Sequence, residues 1–281
     1  MASDSLQIGK TGSGVPWTVK AIKRKDFGDK FVWASQFIKD FVADYMQVDG
    51  ASLLDFGCGA GEMALGLALQ NYPARVVGVD ISTDFDRLAE LALENLDLRA
   101  LPENLQFQKV RPGDVGTHTS KYDLIYSWSV FHHVDQKVLP SVIKGLRQIL
   151  SRNGYLVLQI SPLFYSAYGS VLSSVIKEPW AHLVYQHDNF ESLFFNEANL
   201  PDFCSDVAVA QAWKPGAWDT YRTLNRITVP EILDEFERAG FKLVKKHTTT
   251  NFEDIPAKLK DIYIEEILRT EQAILLFQIQ P

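Results

Sequence analysis

Three glycines at alternate positions follow one apolar run of the sequence. The next apolar run ends in an aspartate. The glycines are Gly57, Gly59 and Gly61 in the stretch LLDFGCGAGE, and the aspartate is Asp80 in VVGVD. A turn without Cβ atoms lets a ligand lie against bare backbone. A carboxylate at the end of the next strand can accept hydrogen bonds from both hydroxyls of a ribose. The pattern therefore predicts a binding site for a cofactor that contains adenosine.

Two adjacent histidines, His132 and His133, follow a further apolar run in YDLIYSWSVFHHV. Imidazole titrates near neutral pH, so either side chain is a candidate general base that removes the proton of a reacting hydroxyl. A role in stabilising the loop is the alternative interpretation of His132. Asp135 lies close by, but no second carboxylate or amide stands at clear ligand spacing, and no metal site is predicted.

Strands and helices alternate along the chain, which predicts an α/β fold with a doubly wound, mostly parallel sheet of seven strands. The predicted strands are Leu53–Phe56, Val76–Asp80, Leu105–Val110, Tyr122–Ser127, Tyr155–Ile160, Phe241–Lys246 and Ala273–Gln280. The predicted helices are Glu62–Gln70, Phe85–Leu98, Lys137–Leu150, Val229–Ala239 and Pro256–Leu268. Apolar runs such as YLVLQI are typical of strands covered on both faces.

The segments outside this alternation suggest how the chain is organised. Residues 1–50 are expected to form a flexible leader (1–16) and a helical cap, with apolar residues at helical spacing from Trp17 to Met46. Residues 51–281 form the main domain, in which residues 161–226 are an insert. This insert contains 12 of the 33 aromatic residues and no obvious strand, so we expect a helical, acceptor-binding cap.

Composition excludes several classes of function. The formal net charge is −7, from 28 Lys and Arg against 35 Asp and Glu, and this balance argues against nucleic acid as a partner. Two cysteines, Cys58 and Cys204, are too few for a zinc cluster or a disulfide framework. We find no apolar signal segment or membrane span, and expect a cytoplasmic protein without a membrane partner.

The order of the motifs resembles that of the class I S-adenosylmethionine-dependent methyltransferases. LLDFGCGAGEMALGLA is similar to their first motif and VVGVDIS to their second, and GDV, YDLIYSWSVFHHV and ILSRNGYLVLQIS are similar to the later ones. The resemblance covers residues 50–160 well and the last two strands more loosely. A dinucleotide fingerprint fits less well, because its third glycine would stand at position 62, which is Glu62.

The resemblance implies S-adenosylmethionine as the cofactor and assigns roles at matching positions. The backbone of the three glycines would face the methionine and ribose portions, with Asp55 orienting the amides of the loop and Cys58 packed beside them. Asp80 would hold the ribose. The remaining implied contacts are Ile81, Asp114 and Val115 at the adenine, and Ser127 and Trp128 at the methionine ammonium and the sulfonium. A core position is the alternative interpretation of Trp128.

The favoured reaction is O-methylation of a small molecule, with a sugar or a secondary-metabolite ring as the acceptor. His132 falls where plant-type small-molecule O-methyltransferases carry a catalytic histidine, and His133 is the second candidate. The predicted acceptor contacts in the insert are Tyr165, Trp180, His182 and Arg222. A small helical core or a homodimer face would explain the same aromatic residues. The alternative functions are a protein or RNA methyltransferase and a cofactor-binding scaffold without activity.

Overall fold

The computed structural model describes residues 8–10, 16–18, 22–116 and 120–280. Two short antiparallel strands, β1 (Ile8–Lys10) and β2 (Pro16–Thr18), lie at the start of the chain. The other residues of the predicted flexible leader lie outside the described residues. The helix predicted from Trp17 instead begins at Lys25, because Trp17 belongs to β2 and pairs with Gly9.

The N-terminal helical stretch consists of α1 (Lys25–Gly28), a π-helical segment (Asp29–Ala34) and α2 (Ser35–Val42). It packs against α3 (Glu62–Gln70), the helix that follows the glycine-rich turn. A Cβ at Gly66 would lie 2.2 Å from the carbonyl oxygen of Phe31, so this approach requires glycine. The N-terminal helices are thereby held against the element that begins at the predicted cofactor site.

Seven strands form the main sheet, in the order β5-β4-β3-β6-β7-β9-β8. Their bounds are β3 (Ser52–Phe56), β4 (Arg75–Asp80), β5 (Leu105–Lys109), β6 (Tyr122–Trp128), β7 (Leu150–Ile160), β8 (Phe241–Thr250) and β9 (Thr270–Ile279). β3 pairs in parallel with β4 and with β6, and β4 pairs in parallel with β5. The predicted fold class, a doubly wound and mostly parallel sheet of seven strands, is confirmed.

The remaining helices are α4 (Leu88–Leu96), α5 (Leu139–Ile149), α6 (Ala181–Val184), α7 (His187–Phe195), α8 (Val207–Thr223), α9 (Val229–Arg238), α10 (Ala257–Lys260) and α11 (Glu265–Arg269). The single helix predicted over Pro256–Leu268 is wrong, because the chain turns between α10 and α11. This turn brings Leu259 and Leu268 into one core cluster with Trp180. No helix among the residues that the structure describes is long and apolar enough to cross a membrane.

The chain divides into two compact units. The first comprises Met1–Trp128, Val142–Val157 and Leu276–Pro281, and contains the glycine-rich turn and the N-terminal helices. The second comprises Ser129–Ser141 and Leu158–Leu275, and contains the paired histidines and the whole predicted insert.

Candidate functional site

The glycine-rich turn links the end of β3 to the start of α3. Gly57, Gly59 and Gly61 all have positive φ, at 81°, 53° and 84°, a region that favours glycine. The amides of Gly57 and Cys58 donate to the carbonyl oxygen of Val79 at 2.8 and 3.1 Å. The turn is therefore fixed against the end of β4.

The glycines serve different purposes. A Cβ at Gly61 would lie 2.6 Å from the ring of Phe107, so packing within the protein requires glycine there. Apart from its neighbours in the chain, a Cβ at Gly59 would meet no atom of the described residues within 4 Å. The bare backbone of Gly59 therefore faces open space, which is the arrangement needed for a ligand to approach the main chain closely.

Asp80 ends β4 beside this turn. One of its carboxylate oxygens accepts from the amide of Gly59 and the other from the amide of Ser82, both at 2.8 Å. Each carboxylate oxygen has about two acceptor positions, so both can also bind a ribose hydroxyl. The next side chain, Ile81, is 57% exposed and offers apolar surface to an adenine ring. The ribose contact of Asp80 and the adenine contact of Ile81 stay predictions.

Asp55 lies one residue before the end of β3 and is fully enclosed. Its pKa is raised to about 8, chiefly by burial and to a smaller extent by the negative charges of Asp80 and Glu62. The hydroxyl of Tyr126 and the ammonium of Lys30 act in the opposite direction. Asp55 is consequently mostly protonated at pH 7, and a cation bound close to it would favour loss of that proton.

Glu62 is a functional candidate that the sequence analysis did not select, and it pairs with Lys30 of the N-terminal helical stretch. Glu62 is the first residue of α3 and only 4% exposed, and its Oε2 lies 3.5 Å from Nζ of Lys30 in the π-helical segment. A carboxylate is favoured at a helix N-terminus. The signal available in the sequence was a charged residue directly after the last glycine of the turn.

Cys58 lies inside the turn but is buried, at 8% exposed. Burial raises the pKa of its thiol well above the ordinary value, and the nearby carboxylates raise it further. The side chain is therefore a neutral thiol, and a nucleophilic role is disfavoured.

Asp114 and Val115 lie in the loop after β5. Asp114 is exposed, and one of its carboxylate oxygens accepts from the amide of Gly116 at 3.2 Å. Val115 is 2% exposed and lies so near Gly145 that a Cβ there would come within 3.0 Å of it. The side chain of Asp114 is thus exposed, whereas Val115 forms part of the supporting core.

Ser127 and Trp128 end β6. Ser127 is completely buried, and its hydroxyl donates to the carbonyl oxygen of Phe56 at 3.0 Å, which ties the end of β6 to the end of β3. Trp128 is partly exposed and packs edge-on against Trp33 and Phe37 of the N-terminal helices. The ring of Trp128 is therefore not part of the core. It belongs to a group of three aromatic rings on the protein surface.

The paired histidines lie in a short 3₁₀ turn, Phe131–His133, in the second unit. The rings of His132 and His133 are 4.0 Å apart, and His132 is only 4% exposed while His133 is exposed. Burial, with a contribution from His133, lowers the pKa of His132 to about 3. His132 is therefore neutral throughout the physiological range.

Asn225, which the sequence analysis did not select, holds this turn in place. Its backbone amide donates to the carbonyl oxygen of His132 at 2.7 Å, and its side-chain amide donates to that of Val134 at 3.0 Å. Asn225 is 4% exposed. A buried side chain that bonds two loops in this way is a positioning residue for His132.

The insert forms a helical core of its own, which was one of the alternatives for its aromatic residues. The cluster comprises Phe164, Leu172, Val175, Ile176, Ala181, Phe190, Phe194, Trp218, Tyr221 and Leu224. The ring centroids of Trp218 and Tyr221 are 5.0 Å apart, and those of Trp218 and Phe194 are 5.6 Å apart. Most aromatic surface in the insert is thus used for packing.

The four predicted acceptor contacts divide into two pairs. Trp180 is completely buried and donates from its indole to the carbonyl oxygen of Tyr165 at 3.1 Å, so its side chain offers no surface to an acceptor. His182 bonds the carbonyl oxygen of Phe164 at 2.7 Å, and burial lowers its pKa to about 4. Tyr165 is partly exposed, and Arg222 is exposed beside Asp219. Only Tyr165 and Arg222 remain accessible.

An open cleft of about 80 Å³ lies within the second unit. It is lined by Leu163, Tyr165, Ile227, Thr228, Val229, Pro230, Lys246, Thr248, Ile264, Glu266, Ile267 and Thr270. The ring of Tyr165 is 5.1 Å from that of Tyr263, and Lys246 lies 3.9 Å from Glu266. Tyr165 is thus the one predicted acceptor contact that lines this cleft. No cluster of three metal-binding side chains occurs among the described residues.

Comparison with known proteins identifies the family. A family model described as a methyltransferase domain matches residues 32–246. This match covers well over half of the chain, which therefore belongs to the methyltransferase-domain family. The resemblance to class I S-adenosylmethionine-dependent methyltransferases that the motifs predicted is confirmed, and S-adenosylmethionine is the cofactor of this family. No curated protein matches the chain significantly.

Solved structures share the fold at low sequence identity. A magnesium protoporphyrin IX methyltransferase from Synechocystis PCC 6803 with bound SAH has a TM-score of 0.51 and 16% identity, covering 92% of this chain and 86% of that one. An S-adenosylmethionine-dependent methyltransferase from Mesorhizobium loti has a TM-score of 0.52 and 17% identity, covering 88% and 99%. A putative sarcosine dimethylglycine methyltransferase from Galdieria sulphuraria has a TM-score of 0.54 and 12% identity, covering 89% and 86%.

Proposed function

We propose that this chain transfers the methyl group of S-adenosylmethionine to a hydroxyl of a small molecule. The observation that carries the proposal is the joint geometry of Gly59 and Asp80. The backbone at Gly59 faces open space, and the carboxylate that fixes its amide keeps acceptor positions for a ribose. An adenosine-containing cofactor fits this arrangement, with Ile81 and Asp114 available to the adenine.

The charges around the turn suit the rest of this cofactor. S-adenosylmethionine carries a sulfonium and an ammonium, and Asp55, Glu62 and Asp80 place three carboxyl groups around the turn. The cofactor supplies an electrophilic methyl group when it is bound. The chain's own residues then have to hold the acceptor in line with that methyl group and exclude water.

The proposed step is a single displacement. The bond between the methyl carbon and the sulfonium sulfur breaks as a bond from the acceptor oxygen forms, and the sulfur leaves as a neutral thioether. The hydroxyl proton has to leave as well, and His132 is the residue we assign to accept it. Burial lowers its pKa to about 3, so the imidazole is neutral above pH 4 and its ring nitrogen can accept a proton.

A small acceptor is supported by the charge and by the site. The net charge of −7 and the acidic turn disfavour a polyanion such as RNA. Tyr165 and Arg222 are the accessible side chains of the insert that we assign to acceptor binding. We no longer assign Trp180 and His182 to acceptor binding, because both side chains are buried.

The experiment has two stages. Calorimetry with S-adenosylmethionine measures cofactor binding, and mass spectrometry then detects methyl transfer to a panel of hydroxylated small molecules. We expect binding in the first stage and a product heavier by one methyl group in the second. Binding without transfer to any acceptor, protein or RNA would indicate a scaffold and contradict the proposed enzyme activity.

A further inference from the structure

Three rings form an aromatic corner on the surface of the first unit. Trp33 and Trp128 have ring centroids 6.0 Å apart and planes at 79°, and Phe37 lies 5.7 Å from Trp128 at 69°. Trp33 is 56% exposed although it is the largest kind of apolar side chain. Two large rings at nearly a right angle can receive a flat ligand face-on against one ring and edge-on against the other.

The aromatic corner is adjacent to the glycine-rich turn. Trp128 follows Ser127, whose hydroxyl bonds the carbonyl oxygen of Phe56 at 3.0 Å, and Phe56 directly precedes Gly57. Trp128 is therefore held at the carboxyl end of the sheet, beside the backbone that we assign to the cofactor. This edge of an open α/β sheet is where ligands bind.

The other wall of the corner comes from the π-helical segment, Asp29–Ala34, which carries Trp33. π-Helical turns are rare and occur frequently at functional sites. The same segment carries Lys30, whose ammonium lies 3.5 Å from Glu62 at the start of α3. The side chain of Lys30 thus contacts the start of α3, and the side chain of Trp33 contacts Trp128.

We propose that the aromatic corner binds the flat ring of the methyl acceptor, so that the acceptor is a planar aromatic or conjugated alcohol and not a sugar. This inference rests on the proposed function. The corner consists of three apolar rings whose polar atoms are two indole N–H groups, which suits a flat apolar ring better than the many hydroxyls of a sugar. Trp33 is then the residue that determines specificity.

The test uses a planar probe and its puckered counterpart, 2-naphthol and decahydro-2-naphthol, titrated into the full chain by ligand-observed NMR with and without S-adenosylhomocysteine. The variants are Trp33→Leu, which removes the ring, and Trp33→Phe, which keeps one. Phe252→Leu is the matched control, since Phe252 is an aromatic side chain that is 90% exposed in the second unit. Choline serves as the cationic probe.

We expect 2-naphthol to bind at least about tenfold more tightly than decahydro-2-naphthol, and Trp33→Leu to remove that preference. Trp33→Phe should retain much of it, and Phe252→Leu should retain all of it. The affinity for S-adenosylhomocysteine should be the same in every variant, which also shows that each has folded. Equal affinity for the two alcohols, an unchanged preference in Trp33→Leu, or tighter binding of choline would overturn the inference. Failure of the wild-type chain to bind S-adenosylhomocysteine would instead contradict the proposed function.

Discussion

The carboxylate of Asp80 accepts a hydrogen bond from the backbone amide of Gly59 at 2.8 Å. Gly59 and Asp80 are 21 positions apart in the sequence, and this bond ties the glycine-rich turn to the end of β4. Asp80 therefore has two roles: it shapes the turn, and it offers its remaining acceptor positions to a ribose.

Substitutions at Gly59 and Gly61 should have different consequences. Gly59→Ala adds a Cβ in open space at a φ of 53°, so stability should fall by only about 1–2 kcal/mol while cofactor affinity falls more strongly. Gly61→Ala forces a Cβ against Phe107, and overpacking together with backbone strain should cost about 2–4 kcal/mol of stability. Urea unfolding and calorimetry on both variants measure the two effects. The assignment is wrong if Gly59→Ala binds the cofactor like the wild type.

Binding of the cofactor should release a proton from Asp55. The pKa of this carboxyl is about 8 in the ligand-free protein, so it is mostly protonated at pH 7. The positive charges of S-adenosylmethionine favour its ionised form. Calorimetry in two buffers of different ionisation enthalpy should show the release of nearly one proton at pH 7. Asp55→Asn should abolish the release, and a wild-type protein that releases none would show that Asp55 is remote from the cofactor's charges.

Burial of His132 should make stability depend on pH. Its pKa is about 3 in the folded protein and about 6.5 in the unfolded chain. Between these values the unfolded chain binds a proton that the folded protein does not, so the free energy of unfolding falls as the pH decreases. From pH 7 to pH 5 this group alone should lower it by about 2 kcal/mol.

Urea unfolding at the two pH values checks this dependence. His132→Leu should show a difference between pH 7 and pH 5 that is smaller by about that 2 kcal/mol. His247→Leu is the control, because His247 is exposed on β8 and its substitution should leave the difference as it is in the wild type. Identical pH dependence in His132→Leu and the wild type would mean that His132 is not buried in solution.

The effect of His132 on turnover tests its assignment as the base. Once an acceptor is known, His132→Ala should lower turnover by roughly 10²–10⁴ while cofactor affinity stays unchanged. The wild-type rate should show no inflection from this group between pH 5 and pH 8, because its pKa is about 3. His133→Ala should reduce turnover less. Near-normal turnover in His132→Ala would place the base elsewhere, or show that the acceptor needs none.

The sequence predicted well the part of the chain in which strands and helices alternate. The helix predicted over Glu62–Gln70 has those bounds in the structure, because a glycine-rich turn begins it and apolar residues line it throughout. The ends of β3, β4, β5 and β6 agree with the prediction within one residue, whereas β7 begins at Leu150, five residues before the predicted start. The proximity of Gly59 and Asp80 was predictable for the same reason, because both lie at strand ends that a parallel sheet must bring together.

The insert was not predictable in the same way. Its aromatic residues are equally compatible with a binding surface and a core, and only tertiary packing decides that Trp180 is fully buried while Tyr165 remains partly exposed. The low pKa of His132 likewise results from burial by residues distant in the sequence. Lys30 and Glu62 are 32 positions apart, and no local pattern indicates that they meet.

The central claim is that S-adenosylmethionine binds at the edge formed by Gly59 and Asp80. Calorimetric titration of S-adenosylmethionine into the wild type and Asp80→Ala tests it most directly, with Asp84→Ala, an exposed aspartate four residues further on, as the matched control. Loss of the acceptor for two ribose hydroxyls costs about 1–3 kcal/mol, so affinity should fall roughly ten- to hundredfold in Asp80→Ala and stay unchanged in Asp84→Ala. A dissociation constant that is the same in Asp80→Ala and the wild type would contradict the account.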